Sequence, residues 1–325
     1  MSEVVVSTRV RLARNLSDFP FPVRMSEKEK LELCEKVSKV AKEIMDFDRI
    51  DMRNLTKTQS VSLVEQHLIS PEFVSQPVGK TLLLSKDKTV SIMLNEEDHI
   101  RLQVIKSGLC LSEAYELADE IDTKLSKKLN FAFSQKLGYL TQCPTNLGTG
   151  MRASVMLHLP ALQKSRAVSR IASNLSKLGL TIRGIYGEST EPEGAMYQLS
   201  NQVSLGISEQ SAIDNLKNIA SQLATQEIKA RDRILSDIEI VDTICRCLGI
   251  LKTARIMNHS EAMKLLSNVR LGVAHNILQT LSLDSIDKLM CDIQPASVLQ
   301  RYSTEELTVQ QRDIKRADYL REKLN

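Results

Sequence analysis

Residues 4–14 read VVVSTRVRLAR, and this stretch decides the fold class of the first half of the chain. From Ser7 onward, apolar and polar side chains alternate, which is the period of a half-buried β-strand. Arg9 and Arg11 are two positions apart, so a strand carries both guanidinium groups on one face. We therefore predict a strand with a hydrophobic face and an arginine face.

Outward from this strand, the pattern remains mixed. Residues 81–94, TLLLSKDKTVSIML, predict two strands around a turn, and the second runs directly into the acidic run NEEDH at 95–99. Further strands are expected around residues 181–186 and 197–206, and one helix is expected over residues 160–179. These elements predict an α+β region with a carboxylate cluster at the end of one strand.

The rest of the chain carries a helical pattern. From Ser208 onward, apolar residues recur every three or four positions in segments such as EQSAIDNLKNIASQLA and SEAMKLLSNVRLGVAHNIL. Ser303 and Glu306 have the spacing of a capping box, which predicts that the last helix starts there. We therefore expect a catalytic domain over residues 1–215 and an all-helical domain over residues 216–325.

The composition is that of an ordinary soluble globular protein of 325 residues, with 43 lysines and arginines, 40 aspartates and glutamates, and a net charge of +3. This balance does not indicate direct binding to nucleic acid. No apolar run approaches the roughly 18 residues of a membrane-spanning helix, and the first residues lack the features of a signal peptide. Six cysteines are too sparse for a disulfide framework, so we expect reduced thiols and a cytoplasmic location.

The common nucleotide-binding signatures are missing, since the sequence has no GxxxxGK[ST] loop, no GxGxxG after a strand, and neither HRD nor DFG. It has instead five arginines beside predicted structural elements, namely Arg9, Arg11, Arg101, Arg152 and Arg183. Guanidinium groups bind phosphate oxygens bidentately, so together these residues could clamp a triphosphate. Mg²⁺ would bridge the phosphates, and we expect no metal site built from protein ligands. Each arginine taken alone is more often a solvated surface residue.

A guanidino acceptor requires carboxylates, because its pKa lies above about 12 and a nitrogen becomes nucleophilic only when charged partners align it and accept its proton. Glu97, in the acidic run, and Glu188, in the segment GESTEPEGA, are the candidates. Cys143 lies in a constrained turn, CPTNLGT, where nearby arginines could keep it as a thiolate. The alternatives are a solvated acidic turn and a buried structural cysteine.

Four motifs, in this order, resemble those of the phosphagen (guanidino) kinase superfamily, and more closely its bacterial branch of protein-arginine kinases. They are STRVRLARN at 7–15, NEEDH at 95–99, CPTNLGTGMRASV at 143–155 and RGIYGE at 183–188. The resemblance implies a curved antiparallel sheet with flanking helices, followed by a helical C-terminal domain. It also implies ATP and Mg²⁺ as cofactors.

The same resemblance implies roles for individual residues. Glu97 and Glu188 would engage the acceptor guanidinium, and Cys143 would be the active-site thiol beside it. The residues implied around the nucleotide are Ser7, Thr8, Arg9, Val10, Arg11, His67, Arg101, Arg152, Ala153, Ser154, Val155, Met156, Arg183, Gly184, Ile185, Tyr186, Gly187 and Glu188.

A further motif lies near the end of the chain. Residues 312–317, RDIKRA, match the RDxxRA signature of protein-arginine kinases, which implies a phosphoarginine-binding element. On a helix, Arg312 and Arg316 share a face and could hold a phosphate while Asp313 holds the guanidinium, with Ala317 completing the motif. By composition alone, the motif would be a solvated helix face.

The resemblance implies a kinase of arginine side chains in proteins that marks them for proteolysis and acts in stress response. A homodimer, a zinc-binding activator protein, a stress-gene repressor and the Clp protease machinery are the implied partners. The helical domain follows a catalytic strand that begins within the first ten residues, and this order favours a protein substrate with exposed arginine. Two alternatives stay open: a kinase of free arginine or another small guanidino compound, and a catalytically weak phosphoarginine-binding adaptor.

Overall fold

An antiparallel sheet forms the scaffold of the first two-thirds of the chain. The structure is a computed structural model that describes residues 3–184, 192–302 and 307–325. Its strands are β1 Val5–Arg14, β2 Phe47–Asp51, β3 Thr81–Ser85, β4 Val90–Leu94, β5 Ile100–Ser107, β6 Phe133–Ser134, β7 Gly138–Tyr139, β8 Met151–His158, β9 Leu180–Gly184 and β10 Met196–Asn201. Within the described ranges, eight of them pair in the order β2-β3-β4-β5-β1-β8-β10-β9, while β6 and β7 form a separate hairpin.

β1 is a central strand of this sheet and has the two faces that its alternation predicts. It pairs with β5 on one side and with β8 on the other, antiparallel in both cases. Thr8, Val10 and Leu12 are buried on the core face, whereas Arg9 and Arg11 point to the opposite face. The predicted strand with one apolar and one arginine face is therefore confirmed.

Helices surround the sheet and make up most of the chain after β10. They are α1 Glu27–Lys42, α2 Lys57–Glu65, α3 Pro71–Ser75, α4 Leu111–Ser126, α5 Pro160–Lys164, α6 Val168–Ser176, α7 Glu209–Ile234, α8 Ile238–Thr253, α9 His259–Ala274, α10 Leu283–Asp292, α11 Pro295–Tyr302 and α12 Val309–Leu324. The α+β part followed by a helical part agrees with the predicted fold class.

Three apolar clusters explain how these elements pack. The largest joins the core face of the sheet to α1, α4 and α7. A second, on the arginine side, joins α2 and α3 to β3 and β4. The third holds α8, α9, α10 and α12 together and touches the sheet at Val6, Met156 and Met196. The arginine face therefore lies between two helical covers.

Three predicted elements have different bounds in the structure. The helix expected over residues 160–179 is two helices, because Arg166 adopts a positive φ of 57° between α5 and α6. The strand expected over residues 197–206 ends at Asn201. The last helix begins at Val309 with a capping box of Thr308 and Gln311, whereas Ser303 and Glu306 lie outside the described residues.

The expected domain boundary after residue 215 falls inside α7. On both sides of this position α7 is buried in the core of the sheet, through Ile213 and Leu216 as well as Leu223 and Ala224. This packing favours a boundary after α7. The division into a catalytic and a helical domain stays a prediction.

A cluster of charged side chains, which we call the buried ion cluster, joins the sheet to the C-terminal helices. It consists of His158 at the end of β8, Glu227 and Arg231 on α7, Arg270 on α9, and Asp287 on α10. Arg231 pairs with Glu227 at 2.8 Å, and Arg270 donates to both carboxylate oxygens of Asp287 at 2.6 and 3.0 Å. Both arginine side chains are fully buried. Such pairs fix the geometry of the elements that carry them, since removing one partner leaves a buried charge.

His158 takes part in this cluster as a neutral acceptor. Its Nδ1 accepts from Arg231 at 3.2 Å and from Arg270 at 3.3 Å, and its Nε2 lies 2.8 Å from the Ser267 hydroxyl. Burial and the two arginines hold its pKa well below the usual value. The Nε2 tautomer therefore donates to Ser267, and the main-chain oxygen of Glu3 accepts from both arginines.

Candidate active site

Four arginines converge on the arginine face because of strand register. Arg11 on β1 lies directly opposite Arg152 on β8, and Ala13, two residues further along β1, lies opposite Arg101 on β5. Arg9 lies on the same face, one pleat before Arg11, and its Nη2 donates to Gln198 Oε1 at 3.0 Å. Directly opposed like charges destabilise a sheet, so this arrangement calls for a compensating anion.

The electrostatics of these arginines indicate the same need. Burial, followed by the charges of Arg101 and Arg152, lowers the pKa of Arg9 to about 10. Burial and the same neighbours, with Arg9, hold the pKa of Arg11 well below its usual value. Within the described residues, the buried Nε atoms of Arg11 and Arg152 have no hydrogen-bond partner. A polyanion would satisfy these donors and neutralise the charges.

Glu96 holds Arg101 in this arrangement. Nη1 of Arg101 donates to both carboxylate oxygens of Glu96, at 2.6 and 2.5 Å, and the hydroxyl of Ser70 donates to the same carboxylate at 2.6 Å. Burial alone would raise the pKa of Glu96, but Arg101 and these hydrogen bonds outweigh it, so the pKa lies below its usual value. Sequence reasoning gave Glu96 no role of its own, because nothing in the acidic run distinguishes it from Glu97.

Glu97 differs from both neighbours in the acidic run. Its carboxylate accepts no hydrogen bond from any described residue, and burial, together with Asp98 and Glu96, raises its pKa. Asp98 is buried and accepts from Asn15 Nδ2 at 2.6 Å and from the main-chain NH of Gln142 at 2.7 Å. Asp98 therefore ties the acidic run to the segment before Cys143, and Glu97 remains free for a ligand.

Cys143 lies near Arg152, at the start of a short 3₁₀ helix, Pro144–Asn146. Its Sγ is 3.0 Å from Thr145 Oγ1. Burial and the charges of Arg183 and Arg101 lower the pKa of the nearby Arg152, and Cys143 opposes this only in part. Ser204 Oγ lies within hydrogen-bond distance of the carbonyl oxygens of Thr145 and Leu147, at 2.9 and 2.7 Å. Cys143 is partly exposed, so the structure does not bear out the alternative of a buried cysteine.

His67 is a neutral histidine on the same side of the sheet. It follows α2 with a positive φ of 60°, and its carbonyl oxygen accepts from Gln103 Nε2 at 2.8 Å. Burial, and then the charge of Arg9, lower its pKa to about 4. His67 can therefore act near neutral pH as a hydrogen-bonding or stacking group.

The motif residues expected around the nucleotide divide between the two faces of the sheet. Ser7, Arg9, Ser154, Met156 and His67 line one cavity. The core face carries Thr8, Val10, Ala153 and Val155, each fully buried, so these four side chains do not reach the arginine face. Arg183 lies on β9 opposite Gln198, and Gly184 ends that strand. Arg183 adds to the effect of burial in lowering the pKa of Arg152. Ile185, Tyr186, Gly187 and Glu188 lie outside the described residues.

The RDxxRA element occupies the first turns of α12 and differs from the expected geometry. Arg316 points inward and donates to the carbonyl oxygens of Ile293 and Met257, at 2.9 and 3.0 Å, and to Asp313 at 2.5 Å. Ala317 is buried in the helical core. Among the described residues, Arg312 alone in this motif keeps a buried guanidinium nitrogen, Nε, without a partner. Arg312 is therefore the arginine of the motif that is available for an anion.

Neither a membrane span nor a metal cluster occurs in the part of the chain that the structure describes. None of the helices there combines the length and the hydropathy that a membrane span requires. No group of three or more histidine, cysteine, aspartate and glutamate side chains in the same ranges is arranged to hold a metal ion.

Comparison with known proteins gives consistent results for both parts of the chain. Residues 29–230 match the family described as ATP:guanido phosphotransferase, C-terminal catalytic domain, and residues 237–325 match the protein-arginine kinase McsB C-terminal domain. The protein-arginine kinase of Symbiobacterium thermophilum is 45% identical over 332 residues, covering 100% of this chain and 94% of the relative. That of Halothermothrix orenii is 46% identical over 329 residues, covering 99% and 93%. The crystal structure of lombricine kinase is 26% identical with a TM-score of 0.62, covering 70% of this chain and 67% of the other.

Proposed function

The chain belongs to the ATP:guanido phosphotransferase family and to its protein-arginine kinases, and from this premise we propose how its site performs the reaction. It is an ATP-dependent kinase of arginine side chains in proteins. The arginine face carries the argument, because Arg9, Arg11 and Arg152 form no ion pair with a carboxylate among the described residues and lie near the free carboxylate of Glu97. In the transfer, a P–N bond to the acceptor forms, the bond from the γ-phosphorus to the ADP oxygen breaks, and one proton leaves the attacking nitrogen.

Arg9, Arg11, Arg101 and Arg152 bind the triphosphate of ATP in this proposal. Phosphoryl transfer depends mainly on positioning and on stabilising charge at the transferring group, and these donors are held by the sheet before the substrate arrives. The bond from Arg101 to Glu96 fixes one donor, and the register of β1 and β8 fixes two others. Arg183, on the outer strand β9, contributes a further guanidinium group to phosphate binding.

Glu97 aligns the acceptor guanidinium and accepts its proton, with Glu188 as the second carboxylate. The raised pKa of Glu97 makes it a stronger base than an ordinary glutamate, which favours proton transfer as the P–N bond forms. Cys143 would lie beside the acceptor, where its thiol and the turn around it limit the positions the guanidinium can take.

Mg²⁺ fits this site as part of the nucleotide complex. The arginine face offers hydrogen-bond donors, and the carboxylate of Glu96 is already engaged by Arg101, so phosphate oxygens and water would supply most ligands of the ion. When bound, Mg²⁺ would neutralise part of the phosphate charge.

The helical part, proposed as residues 216–325, would bind phosphoarginine and form a homodimer. The support for the first role is the unpartnered Nε of Arg312, since a phosphate could accept from it while Arg316 and Asp313 hold the helix in place. We further propose a cytoplasmic enzyme of stress response that meets a zinc-binding activator, a stress-gene repressor and the Clp protease machinery. These partners come from the family resemblance alone.

Glu97→Gln and Glu188→Gln test the two-carboxylate mechanism. We expect each variant to lose about 10²- to 10⁴-fold in kcat, the usual contribution of a general base, with ATP and phosphoarginine binding retained. Glu113→Gln, at an exposed position on α4, is the matched control and keeps the wild-type rate. Wild-type rates in both active-site variants would refute the mechanism.

The acceptor is tested by incubating the enzyme with ATP and either free arginine or an unfolded protein. We expect acid-labile phosphate on the protein. Phosphate on free arginine alone would replace this proposal with a kinase of small guanidino compounds. Phosphoarginine binding without any transfer would replace it with the adaptor.

A further inference from the structure

A cavity of about 870 Å³ lies between the arginine face and the C-terminal helices, which is within the usual range for small-molecule and cofactor sites. On the sheet side, it begins at Ser7, Arg9 and Ser154. Neither Glu97 nor Cys143 lines it. The cavity therefore extends from the phosphate-binding arginines away from the acceptor, in the direction where the nucleoside part of ATP must lie.

One face of α10 forms the opposite wall. Asp284, Lys288 and Cys291 follow one another at positions i, i+4 and i+7, so they share a helix face, and all three are exposed and line the cavity. Ile286 and Leu289, on the other face, are buried in the helical core. This helix thus presents a polar face to the cavity and an apolar face to its own core.

The space between the two walls suits a flat ring system. Met156 and Met196 line it from the sheet, and Met263, Met290 and Leu283 line it from the helices. Thioethers are polarizable and adapt to the shape of a ligand, and they make favourable contacts with aromatic rings. A purine could lie among these side chains with its polar edge directed to α10.

The polar groups on this wall differ in how they are held. Asp287 is fixed by Arg270 of the buried ion cluster, and this bond anchors α10 against the cavity. Asp284 and Lys288, by contrast, form neither a side-chain hydrogen bond nor an ion pair with any described residue. An anchored helix therefore carries two free polar groups that face an open cavity.

We propose that α10 recognises the nucleoside part of ATP. Asp284 accepts hydrogen bonds from ribose hydroxyls or the exocyclic amine, and Lys288 donates to ring nitrogens or ribose oxygens. This inference rests on the proposed function, since it takes the arginine face to be the phosphate site. It makes the C-terminal helices part of the nucleotide site, so that selection of adenosine depends on residues outside the sheet.

Alkylation of Cys291 tests the proposal in the wild-type protein. Cys245, exposed on α8 and away from the cavity, is the matched control. Iodoacetamide is used at alkaline pH, where thiols ionise and react, and modification is read by peptide mass spectrometry. We expect ATP to slow alkylation of Cys291 but not of Cys245, and inorganic tripolyphosphate to slow neither.

Variants separate this inference from the proposed function. We expect Lys288→Ala and Asp284→Asn each to weaken ATP binding about tenfold and to leave tripolyphosphate binding unchanged. The ratio of the affinity for ATP to that for other nucleoside triphosphates should also fall. Lys264→Ala, at an exposed position on α9, is the control. ATP that binds tightly to every variant without protecting Cys291 would overturn the role of α10 and leave the kinase proposal intact. A wild-type protein that binds neither ATP nor tripolyphosphate would overturn both.

Discussion

Arg9→Met should make the protein more stable and abolish its response to ATP. Arg9 is held among other arginines, and burial together with Arg101 and Arg152 lowers its pKa from the usual value of an arginine to about 10. Both values lie above neutral pH, so Arg9 is charged in the folded and unfolded states at pH 7, and the cost of charging it in the fold is fully present. This cost falls only as the pH rises from the pKa of Arg9 in the folded protein to its pKa in the unfolded chain.

The magnitude follows from the two pKa values. The fall from the usual pKa of an arginine to about 10 corresponds to about 3 kcal/mol of folding free energy at pH 7. Methionine keeps the unbranched apolar stem but loses the hydrogen bond to Gln198, which costs about 1 kcal/mol. We therefore expect a net gain of about 2 kcal/mol without ligand. At about 2 °C per kcal/mol for a chain of this size, Tm rises by about 4 °C.

Differential scanning fluorimetry with and without ATP measures both effects. ATP at 100 times its Kd should stabilise the wild type by about 2.7 kcal/mol and leave Arg9→Met unchanged. Arg24→Met, at an exposed arginine that ends a short 3₁₀ helix before α1, should match the wild type in both conditions. The reasoning is refuted if Arg9→Met melts at a lower temperature than the wild type without nucleotide, or if ATP stabilises Arg9→Met as much as it stabilises the wild type.

Two further predictions concern the acceptor side of the site. Burial and neighbouring carboxylates raise the pKa of Glu97 above 4.5, so the acid limb of the pH profile of kcat/KM should lie above pH 4.5. The residual rate of Glu97→Gln should lack this limb. A limb at or below pH 4.5 in the wild type would contradict the role of Glu97 as base. Gly148→Ala should lower both Tm and kcat, because Gly148 has a φ of +100° and a Cβ there would lie 2.2 Å from the Ser204 carbonyl oxygen. Gly249→Ala is the control and should keep wild-type activity, because a Cβ at Gly249 would meet no other atom within 4 Å.

Local patterns predicted the features that depend on local chemistry. The two-residue period of β1 determines which side chains face together, so Arg9 and Arg11 could be assigned to one face from the sequence alone. The order of the four motifs indicated the reaction and the fold. The same period also explains why the predicted nucleotide-binding residues divide between two faces: alternate motif residues such as Thr8 and Val10 have side chains on the core face.

Features that depend on packing between distant segments could not be predicted. The inward direction of Arg316 is set by carbonyl groups of Ile293 and Met257, far away in sequence. The cavity wall formed by α10 depends on where the helical core docks on the sheet. The start of the last helix could not be predicted either, because two pairs of residues have the spacing of a capping box. They are Ser303 with Glu306, and Thr308 with Gln311, and the helix begins after Thr308.

The buried ion cluster has a consequence for anyone who recombines these proteins. The first family match ends at residue 230, and the second begins at residue 237. A chimera joined between them would take Glu227 and His158 from one parent and Arg270 and Asp287 from the other. A parent that lacks one of these partners would leave a charge buried without compensation, at about 3–5 kcal/mol. The helical part of this enzyme is therefore exchangeable only together with the few side chains of the sheet part that receive it.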